Sequence, residues 1–141
     1  MAKEELNKAY EIFSQIILVD PNWAEGWNKR ATVLYLMGRY QDSLIDIDEV
    51  LKRENRHFGA LSGQGLVQTK LKNYEKAIKS YQAVQKIYPS IRAAKVMIPQ
   101  LKKLIKYEVI WKNYFYARVI ATVKNTKVIN QEDKNKNFNI Y

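Results

Sequence analysis

A repeat with a period of thirty-four residues is the strongest feature of this sequence. When the stretch from Ala24 to Ser90 is shifted by thirty-four positions, residues of similar size fall on one another. Self-similarity at a fixed period of about 20 to 50 residues indicates stacked copies of one supersecondary unit. The aligned pairs are Trp27 with Leu61, Ala31 with Gly65, Tyr40 with Tyr74, Ser43 with Ala77, Ile47 with Tyr81, Val50 with Val84, and Asn55 with Pro89.

Each copy contains two apolar patterns at helical spacing. In the first copy, Trp27, Ala31 and Leu34 are four and three residues apart, so they share one face of a helix. Gly38 follows at the place where a helix commonly ends in the left-handed conformation, and a second helical stripe begins at Tyr40. Small residues such as Ala31 allow two antiparallel helices to approach closely. The pattern therefore predicts an all-α fold.

The period and these residue types resemble the tetratricopeptide repeat, a helix–turn–helix unit that stacks into a solenoid. The resemblance implies a half repeat, two full repeats and a capping helix within a domain at 1–107. A basic, aromatic extension at 108–141 follows, and we expect its tail from Gln131 to be disordered. The residues expected to define the repeat core are Ala9, Phe13, Trp27, Ala31, Tyr40, Ile47, Gly65, Tyr74, Ala77, Tyr81 and Pro89.

The apolar spacing predicts helices at about residues 4–19, 23–37, 41–54, 57–71, 74–88 and 91–107. The first corresponds to the second helix of a repeat whose first helix is missing. Pro99 predicts a kink in the capping helix. The composition from Val109 onward suits a strand or a helix, and helix is favoured because the rest of the chain is helical. We expect Val96, Leu101, Leu104 and Ile105 to cover the last repeat.

The sequence departs from the family at several positions. Arg30 and Gln64 stand where leucine is usual, and Asn55 stands where proline is usual. Lys72 and Asn73 replace the usual glycine turn, which leaves the geometry of that turn open.

The net charge of +10 is concentrated in the last third of the chain. Residues 1–90 hold 13 basic and 11 acidic residues, whereas residues 91–141 hold 11 basic and 3 acidic residues. An anionic partner would therefore bind the last third, although a solvated helix face and a loose tail are the simpler interpretation. The sequence contains no cysteine, which excludes disulfides. Because the N-terminus has no apolar signal segment, we expect a cytoplasmic protein.

The sequence offers no arrangement typical of catalysis. His57 is the single histidine, and no carboxylates accompany it at ligand spacing, so we expect a structural role, no metal site and no cofactor. The glycines at 59, 63 and 65 fit no phosphate-binding motif. The acidic residues Asp46, Asp48 and Glu49 are interpreted as surface charge. We therefore predict that the protein is not an enzyme.

The resemblance implies that the protein binds another protein, as a scaffold or adaptor, in a concave groove. The residues that fall on groove positions are uncharged except for Glu25. Besides Glu25 and Ala93, they are Asn28, Thr32, Tyr35, Gly59, Ser62, Leu66, Thr69, Val96 and Gln100. Family members that grip acidic chaperone tails carry basic residues and asparagines at positions that are here Asn28, Thr32, Gly63, Ala93 and Met97. That clamp is therefore absent.

Three alternatives remain open from the sequence. The basic last third could bind nucleic acid or an anionic membrane, which we consider less favoured partners than a protein. The chain could also be a truncated relic of a longer repeat protein. Finally, Tyr10, Phe13 and Ile17 form an apolar stripe on a helix that lacks its repeat partner, and this predicts self-association through the N-terminal helix.

Overall fold

The computed structural model describes the backbone of residues 2–137 and the side chains of residues 3–126. It confirms the predicted all-α architecture. Neighbouring helices pack against one another from α1 to α5, and α2 also contacts α4. The first helices of the two full repeats therefore lie side by side. The helices are α1 (Ala2–Val19), α2 (Ala24–Leu36), α3 (Tyr40–Arg53), α4 (Phe58–Lys70), α5 (Tyr74–Ile87) and α6 (Arg92–Asn137).

The chain divides into two compact units, a repeat body (Met1–Lys103) and a C-terminal unit (Leu104–Tyr141). In the repeat body, Ala31, Ile47, Ala77 and Tyr81 are buried, as expected for residues that define the repeat. Gly65 is also buried, whereas Ala9, Phe13, Trp27, Tyr40 and Tyr74 are half-buried. Pro89 is exposed in the turn after α5, so its assignment to the core is wrong. It acts instead by ending the helix, because proline disfavours helical backbone at the residue before it.

The turn at Lys72 has the same geometry as the glycine turn one repeat earlier. Gly38 has φ of 76° and Lys72 has φ of 60°, both in the left-handed region. The amide after each residue donates across the helix end, from Arg39 to the carbonyl of Leu34 and from Asn73 to that of Gln68, both at 2.9 Å. These are the long hydrogen bonds of a Schellman motif. The repeat therefore keeps its turn despite the lysine.

Asp46 is the clearest departure from the sequence prediction, because it is buried and does not belong to the surface charge. Its carboxylate accepts hydrogen bonds from Nε and Nη2 of Arg30 at 2.7 and 2.8 Å. The Arg30 guanidinium lies over the rings of Trp27 and Tyr10, 5.1 and 5.7 Å from their centroids. The arginine that replaces the usual leucine thus fills an apolar position with its stem and neutralises a buried acid.

The beginning of α6 closes the repeat body. Ala94, Ile98 and Leu101 are buried against Ala77 and Tyr81 of α5. The expected contact of Leu101 is confirmed, but Val96 is 44% exposed, so its expected packing against the last repeat is wrong. Leu104 and Ile105 belong to the C-terminal unit, and their expected packing stays a prediction. The buried residues are spaced three and four apart, which places Val96 on a different side of the helix.

The helix α6 continues well beyond its expected end. It includes Pro99 and continues through the extension from Val109, where helix is the favoured prediction. The kink expected at Pro99 stays a prediction. The backbone is helical through Asn137, so residues 131–137 form helix where we expected disorder. The last four residues of the expected disordered tail lie outside the described part of the chain.

The N-terminal helix packs against α2. Ile17 is buried, and Tyr10 and Phe13 are half-buried. The guanidinium of Arg39 also lies over the Tyr10 ring, 5.1 Å from its centroid. Much of the stripe is therefore covered within the chain, and self-association through this helix stays a prediction. Over the residues that the structure describes, no helix has the length and apolar character needed to cross a membrane.

Candidate functional site: the α2–α4 cleft

A small cleft with a volume of about 70 Å³ is formed by α2, α3 and α4 of the repeat body. We call it the α2–α4 cleft. None of the side chains that line it is charged. They are Asn28, Ala31, Thr32 and Tyr35 from α2, Ser43 and Ile47 from α3, and Gly59, Gly63, Leu66 and Val67 from α4.

The floor of the cleft is apolar and fixed. Ala31, Ile47 and Val67 are buried members of the main hydrophobic core. The buried Ser43 hydroxyl donates a hydrogen bond of 2.8 Å to the carbonyl of Ala31, so it presents no unpaired donor to the cleft. Leu66 on α4 is 44% exposed and supplies an apolar wall. The cleft therefore suits an apolar group of modest size.

Glycines on α4 keep the cleft open. A Cβ atom at Gly63 would lie 3.5 Å from Cδ1 of Ile47, which is an ordinary contact distance. The position could therefore carry a side chain without disturbing the backbone, and that side chain would occupy the cleft. At Gly59 a Cβ atom would lie 3.1 Å from Nδ2 of Asn28, so this glycine allows the close approach of α2 and α4.

A polar network holds one rim of the cleft. Asn28 donates through Nδ2 to Oε2 of Glu25 at 3.1 Å, and Nε2 of His57 lies 3.1 Å from the same oxygen. Lys29 is 3.0 Å from the other oxygen of Glu25. Burial alone would raise the pKa of Glu25, but the hydrogen bonds from Lys29, Asn28 and His57 lower it on balance. The network fixes the Asn28 side chain, and none of its members donates to the amide oxygen Oδ1 of Asn28.

His57 has the structural role expected from the sequence. Its Nδ1 accepts a hydrogen bond of 3.1 Å from the amide of Ala60, which caps the N-terminus of α4. Since Nδ1 is the acceptor, the neutral ring carries its proton on Nε2 and donates to Glu25. Among the residues with described side chains, no group of three histidines, cysteines or carboxylates is placed to hold a metal ion.

The structure brings five of the expected groove residues to one cleft. Asn28, Thr32, Tyr35, Gly59 and Leu66 all line it. The other four do not. Ser62 is half-buried, and Val96 and Gln100 are exposed on α6 outside the cleft. Thr69 uses its hydroxyl to donate to the carbonyl of Gly65 at 2.8 Å.

The predicted groove residues did not include Gly63 or the residues that α3 contributes to the cleft. Ala31, Ser43 and Ile47 serve two purposes, because they belong to the core and also line the cleft. Gly63 follows Gly59 by four residues, so both glycines share one face of α4, and this spacing alone allows either the approach of a ligand or close helix packing.

Sequence comparison identifies the second full repeat directly. Residues 59–91 match the family described as "Tetratricopeptide repeat". A TPR repeat-containing protein of Rhizobium etli is 38% identical over 93 residues, which are 66% of this chain and 46% of that protein. Tetratricopeptide repeat protein 12 of Mus musculus is 34% identical over 67 residues, which are 48% of this chain and 10% of that protein. The chain thus spans half the length or less of these relatives.

Solved structures have the same fold at low sequence identity. The TPR domain of Arabidopsis OM64 has a TM-score of 0.68 and 20% identity, over 72% of this chain and 84% of that one. The first TPR domain of Spaghetti, bound to an HSP90 peptide, has a TM-score of 0.71 and 16% identity, over 74% and 83%. A TPR domain of yeast Sti1 in complex with an Hsp70 segment has a TM-score of 0.67 and 16% identity, over 73% and 87%.

Proposed function

We propose that this chain, a member of the tetratricopeptide repeat family, binds a segment of another protein in the α2–α4 cleft. The observation that carries the proposal is the apolar, uncharged cleft between the first helices of two consecutive repeats. Two of the similar domains were solved in complex with chaperone ligands, which supports peptide binding as a function of this fold. In this role the protein is a non-catalytic adaptor.

The cleft would take one apolar side chain of the partner. Burial of an aliphatic side chain contributes roughly 1.5–3 kcal/mol, which is too little for strong binding alone. The polar atoms beside the cleft would hold the partner's backbone. The Thr32 hydroxyl donates to the carbonyl of Asn28 at 3.0 Å, so its lone pairs remain able to accept from a partner amide. The Asn28 side chain is held by Glu25 and offers its amide oxygen Oδ1 to the same partner.

The ligand we propose differs from the acidic peptides seen in the similar complexes. The Spaghetti complex contains the HSP90 peptide SRMEEVD, whose carboxylates need cationic or amide partners. Here Thr32 and Gly63 line the cleft in place of such groups, and Glu25 adds a negative charge at its rim. We therefore expect an apolar anchor with an uncharged or basic flank and no measurable binding of SRMEEVD.

The decisive experiment fills the cleft. Peptides selected from a random display library on the wild-type protein should lose at least about tenfold in affinity for Gly63→Leu. The added side chain would occupy the space beside Ile47, where a Cβ atom already meets no obstacle. Because leucine is a better helix former than glycine, the variant should fold at least as stably as the wild type.

The matched control is Lys70→Leu, which adds the same group to an exposed position of α4 outside the cleft. Its peptide affinity should stay within about twofold of the wild-type value when salt is high enough to screen the loss of the lysine charge. If Gly63→Leu binds the selected peptides as well as the wild type does, the cleft is not the site. If the library yields no binder that distinguishes the folded protein from bare resin, the proposed function is wrong.

A further inference from the structure

The C-terminal unit exposes an unusual amount of apolar surface along its helix. The side chains of residues 104–126 are described, and the large apolar residues among them are almost all exposed. Exposed apolar surface of this extent indicates a site of interaction. The exposed residues are Leu104, Tyr107, Val109, Ile110, Trp111, Tyr114, Phe115, Tyr116, Val119, Ile120 and Val123.

One side of this helix is distinctly aromatic. Ile110, Trp111, Tyr114 and Phe115 follow one another at the spacing of a single helix face, and we call them the aromatic face. The Trp111 and Tyr114 rings meet edge to face with centroids 6.1 Å apart. Trp111 is 68% exposed and Phe115 is 66% exposed. Trp111 and Phe115 therefore expose large rings, and Tyr114 contacts the Trp111 ring.

Cations surround the aromatic face. Lys106, Lys112, Arg118 and Lys124 are spaced six residues apart, so successive charges lie on different sides of the helix. Nη1 of Arg118 is 3.4 Å from the Tyr114 hydroxyl, which places this guanidinium at the end of the aromatic face. Glu108 is the one acidic residue between positions 104 and 126.

We propose that the helix from Leu104 to Val123 binds peripherally to an anionic phospholipid surface through the aromatic face. Tryptophan and tyrosine favour the boundary between headgroups and acyl chains, where an apolar ring and a polar tip are both accommodated. Lysine and arginine stems extend along apolar surface while their charged ends reach the headgroup phosphates. A segment of twenty helical residues is about 30 Å long, so it can lie along the surface over its whole length.

Two other binding partners fit the residues of this helix less well than a lipid surface does. A single-stranded nucleic acid would stack on the aromatic rings, but it offers no apolar medium for Leu104 and Ile110, the exposed aliphatic residues on the same side of the helix. A second copy of the chain would bring two helices of like charge together, since each has four cations and one acid between positions 104 and 126. An anionic lipid surface complements both the charge and the apolar side chains. This inference does not depend on the α2–α4 cleft.

The test measures co-sedimentation of the full chain with vesicles. Binding to vesicles of phosphatidylcholine mixed with phosphatidylserine should be at least about tenfold tighter than to phosphatidylcholine alone, and should weaken as salt is raised. The double substitution Trp111→Ser, Phe115→Ser should reduce binding about tenfold or more without a change in charge. Glu108→Gln should strengthen binding, since it removes the repulsive charge beside the aromatic face.

The matched control is Trp23→Ser, Leu36→Ser, which removes two exposed apolar side chains from the repeat body. It should bind vesicles as the wild type does, and circular dichroism should confirm equal helicity in all variants. Equal binding to the two lipid mixtures, no binding to either, or an equal loss in the control would overturn the proposal. So would a result in which the Trp111 and Phe115 substitutions only dissociate a dimer, or only abolish binding of an oligonucleotide.

Discussion

Ser80 donates a hydrogen bond of 2.8 Å to Oε1 of Gln64, and both residues lie thirty-four positions after the ion pair of Arg30 with Asp46. The first helix of each repeat therefore reaches the second helix through the same two positions. One repeat uses an arginine and an aspartate, and the next uses a neutral amide and a hydroxyl. Asp46 and Ser80 are both buried, so each needs its partner to satisfy its polar atoms.

This equivalence predicts that the ion pair can be replaced only as a pair. Asp46→Ser alone leaves the Arg30 guanidinium without its carboxylate and should lower the free energy of unfolding by about 3 kcal/mol. Arg30→Gln together with Asp46→Ser copies the second repeat and should recover more than half of that loss. Urea denaturation followed by circular dichroism gives both values. If the double variant is less stable than Asp46→Ser, the two positions are not equivalent.

Lys72→Gly and Gly38→Lys should have opposite effects on stability, because both positions have left-handed backbone. Lys72 adopts φ of 60°, which costs a residue with a side chain roughly 1–2 kcal/mol relative to glycine. Lys72→Gly should therefore stabilise the protein by up to about 1 kcal/mol, after the extra entropy of glycine in the unfolded chain is subtracted. Gly38→Lys should destabilise it by a similar amount. Thermal melting curves of the two variants test the prediction, and shifts in the same direction would contradict it.

The repeat body could be predicted from the sequence because its signals are local. The spacing of Trp27, Ala31 and Leu34, repeated after thirty-four residues, defines the helices and their order. The resemblance also places Asn28, Thr32 and Tyr35 along one helix face, and the structure brings all three to the cleft.

What could not be predicted depends on contacts between distant residues. The burial of Asp46 requires Arg30 from the preceding helix, and no periodicity along α3 indicates that partner. The side of α6 that covers the repeats was also ambiguous. Its apolar residues occupy several sides of the helix, so spacing alone favoured Val96 where packing on α5 selects Ala94 and Ile98.

Two glycines in α4 should respond in opposite ways to the same substitution. A Cβ atom at Gly65 would lie 2.8 Å from Cζ of Tyr81, so Gly65→Ala must displace the buried ring and should cost about 1–3 kcal/mol. Gly63→Ala meets only an ordinary contact with Ile47 and should stabilise the helix by up to about 1 kcal/mol. Urea midpoints of the two variants check this. Equal shifts would mean that Tyr81 does not pack on Gly65.

The hydroxyl of Tyr81 supplies the last prediction. It is buried and meets no partner at hydrogen-bond geometry among the described residues, although the nearby Thr69 hydroxyl, which donates to the carbonyl of Gly65, partly opposes the effect of burial on the pKa of Tyr81. Burial raises the pKa of Tyr81 above its usual value. The folded state therefore keeps this proton at a pH where the unfolded chain loses it. The contribution of the protonated Tyr81 to the free energy of unfolding is intact below about pH 10 and is lost as the pH rises further.

Tyr81→Phe should therefore be as stable as the wild type, or up to about 1 kcal/mol more stable, near neutral pH, because it removes an unpaired buried hydroxyl. Above about pH 10 the variant should gain a further advantage, since it has no proton to lose. Urea midpoints of the wild type and of Tyr81→Phe are measured near neutral pH and above about pH 10. The difference between the two proteins is compared at each pH, because titrating groups that they share cancel in it. Tyr88→Phe, at an exposed tyrosine, is the control for removing one tyrosine hydroxyl. A Tyr81→Phe variant that is clearly less stable near neutral pH would show that the hydroxyl has a partner in the folded protein.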